Sequence, residues 1–331
     1  MRSRALYYPY IQVPNNPWFT RTLLYWDEVG AIVPSEYLEN PARLGVYMVG
    51  LVREQLVTQV IPGMHIWKVP RFAAAFLDHL DRRGQPSPGA QQDWVKVHME
   101  KLQDLAEALC TRGLASKDTS SQYSPWYMIQ PQIADEFMAY LAAVLGQIDD
   151  QDALVPVTDR QAHLNAFRDQ APSAGRRAPV RELVLRGLLP SPLDAVDPPR
   201  LAEFKARHGN ELRDFRREIE GRVSEWSLVE NDADRALVVE EGVRSLQDRV
   251  REVSEMMGRA RWPRIDFGGL CTVVGSGVAG WSAVATGDVR VGLLGAGLSL
   301  APVVYNAFRG ADHQPSPGPL AYAVLAAAEL D

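Results

Sequence analysis

A chain of 331 residues that is 46% hydrophobic and 23% charged can bury a sizeable core, which excludes general disorder and leaves room for about two domains. Its net charge of −6 argues against broad nucleic-acid binding, so no nucleic-acid partner is expected. The two cysteines, Cys110 and Cys271, lie far apart, and the N-terminus lacks a signal peptide's apolar core and cleavage site, so a reducing, cytoplasmic setting is expected.

Taken in chain order, ALYYPYI (5–11) predicts a strand, and Pro9, with no N–H to donate, places it at an edge or a bulge. Asn15-Asn16-Pro17 predicts a helix start, and WFTRTLLYWDEV continues it with Phe19, Leu23 and Trp26 on one face. Gly30 is expected to stop that helix, and AIVP to form a second strand. ARLGVYMVGLVREQ then reads as a helix and LVTQVIP as a third strand. Strand–helix alternation of this kind predicts parallel pairing through right-handed crossovers.

Helices follow: RFAAAFLDHLDRR, the long amphipathic DWVKVHMEKLQDLAEALCTRG, and QIADEFMAYLAAVLGQI, separated by the loops RGQPSPGAQQ and ASKDTSSQYSP. ALVPVTD is expected to return to the sheet. APSAGRRAP and LLPSPLDAVDPP read as linker, too rich in turn formers for regular structure.

Two long helices are predicted next. Along about Pro199–Trp226, Leu201, Phe204, Leu212, Phe215, Ile219, Val223 and Trp226 form one stripe. Along about Asp232–Ala260, Ala236, Val239, Val243, Leu246, Val250, Val253 and Met257 step by three and four, as in a coiled-coil seam. The short connection SLVENDAD implies an antiparallel hairpin.

The expected fold is therefore an α/β N-terminal part, with parallel strands and crossover helices, joined to a mainly α-helical C-terminal part. The latter holds the long antiparallel helical hairpin and a second hairpin of small residues. The expected divisions are 1–170 (α/β with helical insertions), 171–198 (Pro-rich linker), 199–262 (long hairpin) and 263–331 (Gly/Ala-rich hairpin and C-terminal helix).

The small-residue segment opens with LCTVVGSGVAGWSAV, where Gly275, Gly277 and Gly280 fall in G-x-G-x-x-G spacing. A dinucleotide site also needs a longer helix after the glycines and an acid ending the next strand, but Gly287 and Asp288 interrupt the helix and Leu294 to Ala296 stand where the acid belongs. No cofactor is expected. Two readings remain for 267–308. In the leading one, Gly275, Gly277, Gly280, Gly292, Gly295 and Gly297 let two soluble helices pack backbone to backbone. In the alternative they form a membrane hairpin, with Arg259, Arg261, Arg264 and Arg309 at the cytoplasmic side. Asp288 and Arg290 oppose insertion, at roughly 2.5–3.5 kcal/mol each if held mid-membrane. This alternative would place the chain at the inner face of the membrane, peripheral or inserted.

Signals of chemistry are sparse. None of the six histidines forms H-E-x-x-H, and neither cysteine spacing nor the Asp149, Asp150, Asp152 cluster fits a metal loop, so no metal is expected. His208 sits on the helical stripe and reads as a core histidine. The catalytic candidates are Asp159 with His163, four apart at a helix start, and Asp27 with Glu28, after the first helix. The bland alternatives are an N-cap at Asp159 and solvent-facing carboxylates at Asp27 and Glu28. Aromatic residues crowd the first 26 positions and could line a groove there.

ALYYPYI, W…LLYWDEVGAIVP, LVPVTD and the later F-x-x-x-x-x-x-x-L-x-x-F-R-x-x-I together resemble a bacterial family of about this length. That family is common in actinobacteria and carries only a domain-of-unknown-function label. The resemblance runs through most of the chain and implies a bacterial cytosolic origin; it implies no activity and no site residues. The functional expectation is a non-enzymatic interaction or regulatory protein, with a protein partner or self-association through the long hairpin. The alternatives are a membrane-active effector inserting 267–308 and an enzyme with a pocket in the N-terminal α/β part.

Overall fold

The structure is a computed structural model that describes residues 3–8, 10–84, 93–120, 123–147, 154–160, 172–190, 192, 196–257 and 318–330. The chain opens with β1 (Arg4–Tyr7), α1 (Pro17–Tyr25), β2 (Glu28–Ile32), the one-turn α2 (Glu36–Glu39), α3 (Val46–Arg53) and β3 (Val57–Val60). Asn16 caps α1: its Oδ1 accepts the Phe19 N–H at 2.9 Å, and Pro17 occupies the first turn. Gly30 does not end the helix, which stops at Tyr25; it lies inside β2. A Cβ there would come within 2.9 Å of Val60 Cγ2, so the glycine admits the neighbouring side chain.

These strands and β7 (Leu154–Val157) form a parallel sheet in the order β3-β2-β1-β7, with Leu6 level with Gly30 on one side and Pro156 on the other. β1 is therefore internal, not at an edge. It ends at Tyr7, two residues before Pro9, which lies outside the described residues. Among the described residues the strand proline is Pro156, on the edge strand where a missing N–H is tolerated.

Between β3 and β7 run α4 (Phe72–Arg83), β4 (Val95–His98), α5 (Met99–Leu102), α6 (Leu105–Thr111), β5 (Ala115–Lys117), β6 (Trp126–Ile129) and α7 (Pro131–Leu145). The long helix expected from DWVKVHMEKLQDLAEALCTRG is instead a strand and two short helices. β4 pairs antiparallel with β6, and β6 with β5, in a second sheet that the sequence pattern did not reveal.

Side-chain alternation along β1 divides the core. Leu6 and Tyr8 point to a cluster built with α4, α6, α7 and the small sheet. Ala5 and Tyr7 point to a larger cluster with α1, α3 and the C-terminal helices. Those helices are α8 (Pro172–Leu188), α9 (Pro198–Arg207), α10 (Gly209–Trp226), α11 (Asp232–Met256) and α12 (Ala321–Leu330). α8 corrects the expectation of a linker over 171–198: Val180, Val184, Leu185 and Leu188 are buried. The first long helix is broken at His208, which joins α9 to α10.

The expected stripes are buried from Leu201 to Trp226 and from Val239 to Val253. They do not simply close on each other. The seam of α11 packs along α8 and α12, and the whole is continuous with the sheet's first face. The glycine segment, including Gly275, Gly277, Gly280, Gly292, Gly295 and Gly297, lies outside the described residues. Among the described residues no helix is long and apolar enough to cross a membrane.

Candidate functional site

The sheet presents two ends. At its N-terminal edge, Asp27 and Glu28 line a cavity of about 640 Å³ between β2 and α9–α10. Both are consumed by ion pairs. The Arg216 guanidinium donates to both Asp27 carboxylate oxygens, at 2.9 and 3.0 Å, and to the Tyr25 carbonyl at 2.6 Å. Ser3 N–H adds a bond to Asp27 at 2.7 Å. Burial raises the Asp27 pKa, but the bonds from Arg216 and Ser3 outweigh it and hold the carboxyl below its ordinary value. Glu28 accepts from Arg4 at 2.6 Å and from Thr58 at 2.7 Å. Lys205 donates to the Trp26 and Asp27 carbonyls, at 2.6 and 3.1 Å, and so caps the C-terminal end of α1. This edge is a clasp between the helical layer and the sheet.

The C-terminal edge differs. β1, β2 and β3 step one way across the sheet, while β7 is laid down on the other side of β1. Ligands in open α/β sheets bind outside the strand C-termini at such a reversal of strand order. A cavity of about 470 Å³ lies there. Tyr10, Ile11 and Gln12, after β1, and Arg160, after β7, form one side. The small sheet supplies Val97, His98 and Trp126, α5 supplies Lys101, and α7 supplies Asp135 and Met138. The Arg160 guanidinium lies 4.6 Å from the centre of the Tyr10 ring.

Lys101 is the unusual group on this wall. It is 4% exposed, and among the described residues its ammonium has no carboxylate or carbonyl partner. Burial pushes its pKa down to about 8. His98 is also buried. Its Nδ1 accepts the Glu100 N–H at 3.3 Å, which puts the proton of the neutral ring on Nε2. Among the described residues Nε2 has no hydrogen-bond partner, since Glu36 Oε1 stands 3.8 Å away. Burial first, then the Lys101 and Arg43 charges, hold the imidazole pKa below its ordinary value against the pull of Glu36 and Glu100.

The chain matches no protein-family model, no curated protein and no solved structure. The chemistry of the cavity therefore rests on its own residues. A mostly apolar wall with a buried amine and a guanidinium suits a small organic molecule that carries an acidic or carbonyl group.

Of the residues singled out in sequence, Asp27 and Glu28 meet at the N-terminal edge, while Asp159 lies at the opposite edge. It is exposed, next to Arg160, and the neighbouring Thr158 hydroxyl accepts the Arg160 N–H at 3.1 Å. His163 lies outside the described residues. His208 is a core histidine: its Nε2 is 3.2 Å from Glu329 Oε1, which fastens α12 to the α9–α10 break. Among the described residues no group of His, Cys, Asp and Glu could hold a metal. Sequence reasoning missed Lys101 because a lysine in an apparent amphipathic helix reads as solvent-facing. The V-K-V-H alternation of β4 was the available signal that this segment is not helical throughout.

Proposed function

We propose that the α/β part binds a small organic acid in the C-terminal-edge cavity, with Lys101 as the principal cation and Arg160 at the mouth. Of the functions expected from sequence it takes up the third, an enzyme with a pocket in the N-terminal α/β part, as far as the pocket and its binding. The observation that carries it is Lys101, a buried lysine that lines a ligand-sized cavity and has no anionic partner among the described residues. A bound carboxylate or phosphate would supply that partner, and the apolar wall of Val97, Trp126 and Met138 would cover the rest of the ligand. The buried stripes of α10 and α11 leave mainly charged faces for any protein partner, so the long helices support an interaction role less than the cavity supports binding.

A melting-temperature screen with aromatic and branched carboxylates and phosphate monoesters tests this reading. Some members should stabilise the protein, and Lys101→Met should weaken their binding by about ten- to a hundredfold, the worth of a charge-assisted hydrogen bond. A screen without stabilisation, or equal binding by Lys101→Met, would refute it.

A further inference from the structure

We propose that Lys101 is a nucleophile: its ε-amine condenses with an aldehyde or ketone on the acid held in this cavity and forms a covalent imine. The proposal rests on the binding reading above and adds a reaction to it. Nitrogen attacks the carbonyl carbon, a C–N bond forms, and the amine's protons pass to the carbonyl oxygen, which leaves as water. No oxidant or further reactant is needed.

Three observations carry it. Lys101 lines a cavity that a small ligand can fill. It is buried yet committed to no ion pair or hydrogen bond among the described residues, so its amine is available. Burial withdraws the amine from water and is the cause that lowers its pKa; the other cationic or titratable groups that line the cavity are His98 and Lys96 from β4, and Arg160 after β7. Asp135 from α7 is the carboxylate on the same wall, and Lys96 is already paired with Asp118 at 2.9 Å. With burial holding the amine near the value given above, roughly a tenth is neutral at pH 7, against less than about one in a thousand for an ordinary lysine. Lysines desolvated in this way serve as imine-forming nucleophiles. Lys205 is depressed further, to about 7, but its Nζ is bound to two carbonyls at the other edge. Geometry, rather than acidity, separates the two.

The test uses the full chain, 4-carboxybenzaldehyde as probe, and cyanoborohydride to reduce any imine to a stable amine. Peptide mapping should place one adduct on Lys101, formed at least about tenfold faster than on Lys68, Lys96, Lys117 or Lys205. Benzoate, which has the acid but no aldehyde, should block it. Labelling should rise with pH through about 8 rather than about 10, and His98→Gln should keep that inflection. Lys101→Arg should keep the benzoate-induced rise in melting temperature and lose the adduct. Labelling confined to the other lysines, with benzoate still bound, would overturn the nucleophile and leave the binding site standing. Absence of both would overturn both.

Discussion

At the scale of single residues, the same side-chain types do opposite work at the two ends of the sheet. Asp27 and Arg216 are nearly saturated with partners, and their role is to hold α10 against the end of α1. Replacing Arg216 by Met removes those bonds but leaves Asp27 partly open to water, so the loss should be about 2–3 kcal/mol rather than that of a fully buried pair. The pH dependence has a definite sign. A carboxyl whose folded pKa lies below its unfolded value adds stability above the unfolded pKa and loses it as pH falls through the folded one. Wild-type protein should therefore lose stability as pH drops below about 4. In Arg216→Met that Asp27 contribution should be largely gone. Urea titrations across this range check both statements; equal acid sensitivity in the two proteins would count against the clasp.

At the scale of elements, glycine marks where helices must approach. Gly242 on α11 faces the Trp226 ring at the end of α10, and a Cβ there would overlap the indole. A Cβ on Gly221 of α10 would meet nothing within 4 Å among the described residues. Alanine improves helix propensity by about 1 kcal/mol at either position. Gly221→Ala should therefore stabilise by up to that amount, whereas Gly242→Ala should destabilise by about 1–3 kcal/mol as the buried indole is forced aside. Denaturant midpoints of the two variants decide it, and matching shifts would refute the close contact. Elements also explain what was hard to read. The 3.6-residue pattern of α7 and of the α10 and α11 stripes is repeated over many turns, and each appears as a helix. β4, β5 and β6 have three or four residues each. So few positions carry little period, and β4 runs directly into α5, which hides the change from one period to another. Gly175 and Pro179 made α8 look like linker, although Val180 through Leu188 give it a buried face once the sheet is in place.

At the scale of the whole molecule, the last helix closes the core that the first strand opens. Leu320, Tyr322, Val324, Leu325 and Leu330 are buried, and the Tyr322 hydroxyl donates to the Leu24 carbonyl at 2.7 Å. Burial of such side chains contributes roughly 1.5–3 kcal/mol each, a sum comparable with the about 5–15 kcal/mol by which a typical domain is stable. Removing residues 318–331 should abolish cooperative unfolding, as followed by circular dichroism, and an unchanged transition would show that α12 is dispensable.

The residues alone determined the local matters: the Asn16-Pro17 cap, the strand–helix alternation over the first sixty positions, the return of LVPV to the sheet, and the apolar stripes of the long helices. Each depends on neighbours within a few turns of chain, where periodicity and capping act. Tertiary structure decided the strand order, which made β1 internal, turned Asp27 and Glu28 into a clasp, and set Lys101 against Tyr10, Trp126 and Arg160. Those residues come from four separate elements and connections. Only their packing removes water from the lysine, and desolvation is a property of the assembled surroundings that no single stretch of sequence carries.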